Sequence, residues 1–598
     1  VKRWLVALLV AAFGSGCSVA SLEDGSASSV HNKCSADSEC GGGVCDAGAC
    51  KAPAGQFGTL LFEVTAPANA AEFAGVGFLI GQDISQSGGD LNIALGSVAK
   101  VHGSATPTAA SYANCDLSYG DIASATAPVK LTFTPSARLL GLPVEKYVVK
   151  STKNTSKGSY EFKANIPPDD YEVYVEPDLE SGAYLPSSCP VAPQIVHVSV
   201  EPAEVTLNLT LAAPSQLELD VLWPISQNIG QQLALQDWAV DMLDPTSGRV
   251  ISAPATLEAT TAPTDPNNQH FTASVQYTAL PEGAGAGSEL VRIKPPEGVV
   301  APTLVMDRGA LEALTPGKAK VDQLEQLPQP VVLDELTLVD SEGARLDLDN
   351  AAVRFVSTKL DIAAQPGTQA FFERTEQAQG GVVASVELLP GEYDVYVAPP
   401  PDSGFATTTA SLTVGTSGPA WQGGKTVTME PVSDVGGSVL TPGGEAAEGA
   451  TVFPIASPAT VTPLQAAVGS KPFPPLAESG IVGADAQFSL RADPGAFDLS
   501  IRPAEGSGFA WLVRPNVEVQ SGSHDLGEMT LPLPVVYQGV VTVPGGVLLP
   551  GAKINAYLFL DAGGYTADRS GASSVVQVGE ARAGDDGSFQ LFLPSHLN

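Results

Sequence analysis

Large apolar residues alternate with polar ones along Tyr171-Glu172-Val173-Tyr174-Val175-Glu176 until Pro177 ends the run, and the pattern returns at Tyr393-Asp394-Val395-Tyr396-Val397-Ala398-Pro399 and Phe497-Asp498-Leu499-Ser500-Ile501-Arg502-Pro503. Alternation at period two makes one face of an extended strand apolar, and proline cannot donate to a ladder, so each copy predicts a half-buried strand with a fixed end. Weaker copies lie at Leu60-Leu61-Phe62-Glu63-Val64-Thr65-Ala66-Pro67 and Glu289-Leu290-Val291-Arg292-Ile293-Lys294-Pro295. The closing prolines at 67, 177, 295, 399 and 503 stand 110, 118, 104 and 104 residues apart, the size of one small domain. That period predicts tandem β domains.

Between the closing strands the text stays β. Runs such as Val129-Lys130-Leu131-Thr132-Phe133 and Val205-Thr206-Leu207-Asn208-Leu209-Thr210-Leu211 alternate, and turns such as Asp244-Pro245-Thr246-Ser247-Gly248 and Asp585-Asp586-Gly587-Ser588 separate them. The one helical candidate is Val321 to Leu327, ahead of Pro328-Gln329-Pro330. With 598 residues the chain has room for about four to six domains. The expected division is a leader at 1–17, a flexible tether at 18–33, a Cys-rich module at 34–50, a first β-sandwich region at 57–212, a degenerate sandwich at 213–331, sandwiches at 332–432 and 433–533, and an incomplete one at 534–598.

The start changes the picture. Trp4 to Phe13 is an apolar run of ten residues behind Lys2 and Arg3, too short to cross a bilayer and suited to a signal peptide. Cys34, Cys40, Cys45 and Cys50 follow within 17 residues, where no hydrophobic core fits, so two disulfides are expected, with zinc as the less suited alternative. Thirty Lys plus Arg against 65 Asp plus Glu give a net charge of −35, which excludes nucleic acid as a natural partner and favours an exported, soluble surface.

Phe13-Gly14-Ser15-Gly16-Cys17 resembles the lipobox of bacterial lipoproteins, with Gly14 where leucine is usual. That resemblance implies a lipid on Cys17, attachment to a membrane through it, and, from Ser18 behind the cysteine, an outer-membrane or cell-surface address. The short cysteine-rich segment is similar to those behind the signal peptides of myxobacterial surface lipoproteins. Four local cysteines and a lipidated Cys17 leave Cys115 and Cys189, expected to bridge within the first β domain. Overlaying the repeats gives Gly436-Gly437-Ser438-Val439 or Gly539-Val540-Val541, then Gly449-Ala450-Thr451-Val452, then Gly587-Ser588-Phe589-Gln590-Leu591, then Pro390-Gly391-Glu392-Tyr393. This order resembles the carboxypeptidase regulatory-like domain, which implies a transthyretin-like or immunoglobulin-like sandwich of about seven strands. Tyr171, Tyr393 and Phe497 then read as core residues.

No chemistry surfaces. None of the six histidines has Glu three residues on, and Gly506-Ser507-Gly508 and Ser521-Gly522-Ser523-His524 lack the frame of a nucleophile elbow, so no catalytic residue, metal or cofactor is expected. Leu346-Asp347-Leu348-Asp349-Asn350 lacks the rest of a calcium loop and reads as outward acids on a strand. The expected role is a surface-anchored row of β domains with a structural, adhesive or protein-binding function. The alternative is carbohydrate binding through Trp421 or Trp511; either way the partner is an unidentified protein or polysaccharide.

The ends are out of step with the period. After 503 the next closing strand is due near 607, so residues 534–598 hold the opening half of a repeat, while Phe57 to Leu95 resembles a closing half without its opening. The bare edge after Leu593 is expected either to reflect an interrupted reading frame or to be completed by a strand from the amino-terminal half or from another molecule.

Overall fold

The computed structural model describes residues 31–596 except 41–42, 53–58, 68–69, 71–75, 84–87, 96–97, 108–128, 137–141, 143–145, 155–158, 178–191, 202–203, 213–214, 225–236, 261–267, 281–287, 312–317, 322–329, 362–367, 416–424, 458–463, 466–467, 469–472, 562–563 and 566–573. The chain is all-β: tandem two-sheet sandwiches behind a small disulfide module, with a single-turn α-helix at Arg308–Leu311. The helical candidate at 321–327 falls almost wholly outside the described residues, and Val321 itself ends a strand.

The sandwich of residues 433–530 shows the plan. Its strands run Ser433–Leu440, Thr451–Ala456, Gly480–Ile481, Gln487–Ala492, Gly495–Arg502, Leu512–Val519 and Ser523–Thr530. One sheet has the spatial order fourth-first-seventh and the other third-second-fifth-sixth, and the first and seventh strands are parallel. Two sheets packed face to face bury the inward residues of every strand. Residues 99–211, 215–321 and 331–428 repeat this plan, each with the seventh strand parallel to the first, as in Glu204–Leu211 on Ala99–Pro107. Each has its own core.

The closing strands recognised in the sequence are the fifth strands. Tyr171, Tyr393 and Phe497 are each 1% exposed, facing the opposite sheet. The Tyr171 hydroxyl donates to the Pro167 carbonyl at 2.8 Å and that of Tyr393 to Leu389 at 2.6 Å, so in both the ring fills the core while its polar tip ties down the turn that precedes the strand.

The fifth sandwich departs from the expected division. Pro534–Val543, Lys553–Asp561, Ser574–Arg582 and Ser588–Pro594 supply strands one to four. Thr59–Thr65 pairs antiparallel with Lys553–Asp561 in the fifth place, Val76–Asp83 pairs with Thr59–Thr65 in the sixth, and Gly89–Asp90 with Ile93–Ala94 lies parallel to Pro534–Val543 in the seventh. Residues 57–95 therefore do not open the 57–212 region; that sandwich begins at Ala99 and is whole without them. One core joins Leu60, Phe62, Val64, Leu91 and Ile93 to Val535, Val541, Ile554, Leu558, Leu591 and Leu593. The missing half-repeat and the surplus one are the two parts of a single domain.

Contacts between neighbours run round a cycle. Arg249 joins the first sandwich to the second, Thr303–Asp307 of the second pairs with Thr368–Phe371 of the third, Arg354 of the third lies over Phe473 of the fourth, and Trp511 of the fourth enters the terminal core. Leu142 of the first sandwich in turn packs on Leu61, Tyr557, Phe559 and Val575 of the terminal one. The expected rod of domains is replaced by a closed order, and of the expected ways to complete the edge after Leu593 the strand from the amino-terminal half is the one present. The four peptide steps from Leu95 to Ala99 reach at most about 14 Å, so the first sandwich must lie beside the terminal one.

Candidate functional site

Long-range contacts converge where the cysteine module meets the seam of the fourth and terminal sandwiches. The module is a hairpin of Val44–Asp46 on Ala49–Lys51, turned through Ala47 and Gly48, both at positive φ, the conformation a two-residue hairpin loop needs. Disulfides Cys34–Cys45 and Cys40–Cys50 fix it, the connectivity the sequence leaves open. Three of these sulfurs, of Cys34, Cys40 and Cys50, lie within 4.8 Å of one another, a cluster held here by the two cross-links.

The tether ends before residue 32. The Asn32 backbone N–H donates to the Ser507 carbonyl at 2.8 Å, and its side-chain amide donates to the carbonyls of Cys50 at 2.7 Å and Gly508 at 3.1 Å. On the other side of the module the Ala52 N–H donates to Pro534, and Ala52 belongs to the terminal core. The module thus bridges two sandwiches.

Beneath it Trp511 is 9% exposed, packed into the terminal core with Val513. The Arg502 guanidinium lies 4.2 Å from the Trp511 ring centre and 4.6 Å from that of Phe453, and burial lowers its pKa, partly offset by Glu580 of the terminal sandwich. This placement corrects the carbohydrate reading for Trp511: an indole that fills the seam has no face left for a sugar ring. Trp421, Cys17, Cys115 and Cys189 lie outside the described residues.

A cleft of about 660 Å³ opens at the same seam, lined among others by Arg514, Glu528, Leu533 and His596. Ser595 Oγ and His596 Nδ1, both in its lining, share a hydrogen bond of 2.9 Å. Asp347 lies in irregular backbone and Asp349 in a bend, not on a strand as expected, and the Asp349 carboxylate accepts the Gly380 N–H at 2.7 Å, a structural cap. Among the described residues no helix is long and apolar enough to cross a membrane.

Sequence reading passes over the residues that join domains. Arg249, just behind the turn at 244–248, sets its guanidinium 3.0 Å from Glu172 and 5.2 Å from the Tyr174 ring, while the Tyr174 hydroxyl donates to the Val250 carbonyl at 2.7 Å. Arg354 makes two hydrogen bonds to Glu373, at 2.8 and 2.7 Å, and lies 5.7 Å from Phe473, whose ring meets Tyr396 edge-on. Within the terminal sandwich Glu63 instead joins the two distant parts of the chain, accepting from Asn555 at 2.9 Å and Tyr557 at 2.6 Å. The available signal was the second aromatic of the Tyr-x-Val-Tyr motif, a large ring on the face assigned to water.

No protein-family model matches this chain, and no curated protein matches it. Among solved structures it is similar to a streptococcal ancillary pilin at 11% identity, covering 56% of this chain and 99% of that one, with a TM-score of 0.17. It is also similar to the RrgB pilus protein of Streptococcus pneumoniae (12% identity, 71% and 94% covered, TM-score 0.13) and to a putative adhesin of Bacteroides ovatus (12%, 38% and 94%, 0.18). Likenesses of this size assign neither a family nor an activity.

Proposed function

We propose that this chain is a non-catalytic cell-envelope protein, lipid-anchored through Cys17 at the outer membrane or cell surface, that presents carboxypeptidase regulatory-like sandwiches to a protein or polysaccharide partner. The observation that carries the reading is the docked module with its two disulfides, because such cross-links persist in oxidising, exported compartments and are rare in reducing ones. Residues 18–31 would span at most about 50 Å when extended, enough to let the terminal sandwich stand just off a membrane. Loops at the ends of the sandwiches supply the contact surface, on a scaffold whose interiors are apolar.

Cell fractionation with mass spectrometry tests it. The wild-type chain should partition with membranes and carry acyl chains on Cys17, and Cys17→Ser should be released without lipid. Recovery of an unmodified Cys17 in soluble, cytoplasmic protein would overturn the proposal. A surface pull-down with the mature protein then identifies the partner.

A further inference from the structure

Four sandwiches are built from continuous chain and the terminal one is not: its first four strands come from 534–594 and its last three from 59–94. The joint between the halves is a full domain interior. Thr59–Thr65 is paired on both sides, Phe62 and Leu60 are fully buried, and Glu63 holds Asn555 and Tyr557 across the seam. Gly539 is shaped for the incoming seventh strand, since a Cβ there would stand 2.0 Å from the Leu91 carbonyl oxygen. Gly103 has the same relation to Leu207 in the first sandwich, at 1.9 Å.

Synthesis separates the halves in time. Between Leu95 and Pro534 lie 438 residues, which at roughly 5–20 residues per second take about 20–90 s to make. Through that interval the three amino-terminal strands have no acceptor in their own chain, and they present unpaired edges and the apolar faces of Leu60 and Phe62. An identical acceptor on an older copy satisfies every one of their contacts. Exchange of an identical element is a low-barrier route to assembly.

We propose that the terminal sandwich is an exchange interface, with residues 59–95 of one copy completing the 534–594 half of a second copy. The partner is this same chain, and the joined domain is the same sandwich seen here. The proposal does not depend on the lipid anchor.

The test uses full chains and one register pair, Thr65 opposite Lys553, both only partly buried. One copy carries Thr65→Cys and a differently tagged copy carries Lys553→Cys, so neither can cross-link within itself. Co-expressed and oxidised, the two should give a mixed disulfide of twice the monomer mass, with the peptides around 65 and 553 joined in a mass-spectrometric map. A chain carrying both cysteines is the control for geometry. If the double variant closes within one chain while the co-expressed single variants keep free thiols, completion is strictly internal and the proposal is overturned.

Discussion

Tyr393 performs two tasks with one side chain: its ring is buried among Phe355, Phe372 and Val395 of the third core, and its hydroxyl holds the Leu389 carbonyl. Removing the ring by Tyr393→Ala should destabilise that sandwich by about 3–5 kcal/mol, whereas Tyr393→Phe should cost about 1 kcal/mol. Domain-resolved hydrogen exchange checks both, with protection lost in 331–428 and kept in 433–530. Burial, reinforced by Glu63, pushes the Tyr557 hydroxyl above its ordinary value of 10.0. A phenol whose folded pKa is raised contributes stability that is present below the unfolded pKa and lost as pH rises toward the folded one. The terminal sandwich should therefore weaken above about pH 10, and Tyr557→Phe should blunt that loss in an alkaline denaturation series. The inward residues were legible because they alternate. Asn32 and Arg502 were not, since a polar residue that bridges distant carbonyls or lies between rings looks in sequence like any solvated side chain.

Within the repeating element, the fifth strand carries both the core and the junctions. Its inward positions, such as Tyr171, Val173 and Val175, bind the two sheets. The outward residue three places after the first inward one is Tyr174 in the first sandwich, Tyr396 in the third and Glu63 in the terminal one, and each lies in a contact network at a neighbour's boundary. Arg249→Ala should loosen the first junction while both sandwiches stay folded, read as a wider interdomain distance distribution at unchanged melting of each domain. Gly539→Val tests the first strand. Its side chain would meet the Leu91 carbonyl, so exchange at 89–94 should accelerate by at least tenfold while 433–530 is unaffected. The alternation announced these strands, but period two cannot say whether an outward face meets water or another domain.

At the scale of the whole molecule, the sequence showed a half-repeat at each end and the structure shows that they are one domain, which turns a row of five into a cycle. The period carried that information: a closing strand ending at Pro67 lacks an opening, and an opening at 534–594 lacks a closing. What periodicity could not decide was the pairing, because the two segments become neighbours only through folding. That fold stands on Thr59–Thr65 and Ile93–Ala94 being strands of the terminal sandwich. Native-state hydrogen exchange on the full chain carrying Phe62→Asp tests it most directly, because Phe62 is fully buried in the shared core. This single change in the amino-terminal half should strip protection from 534–543, 553–561 and 588–594 while leaving 433–530 at its wild-type rates. Undiminished protection in 534–594 would contradict it.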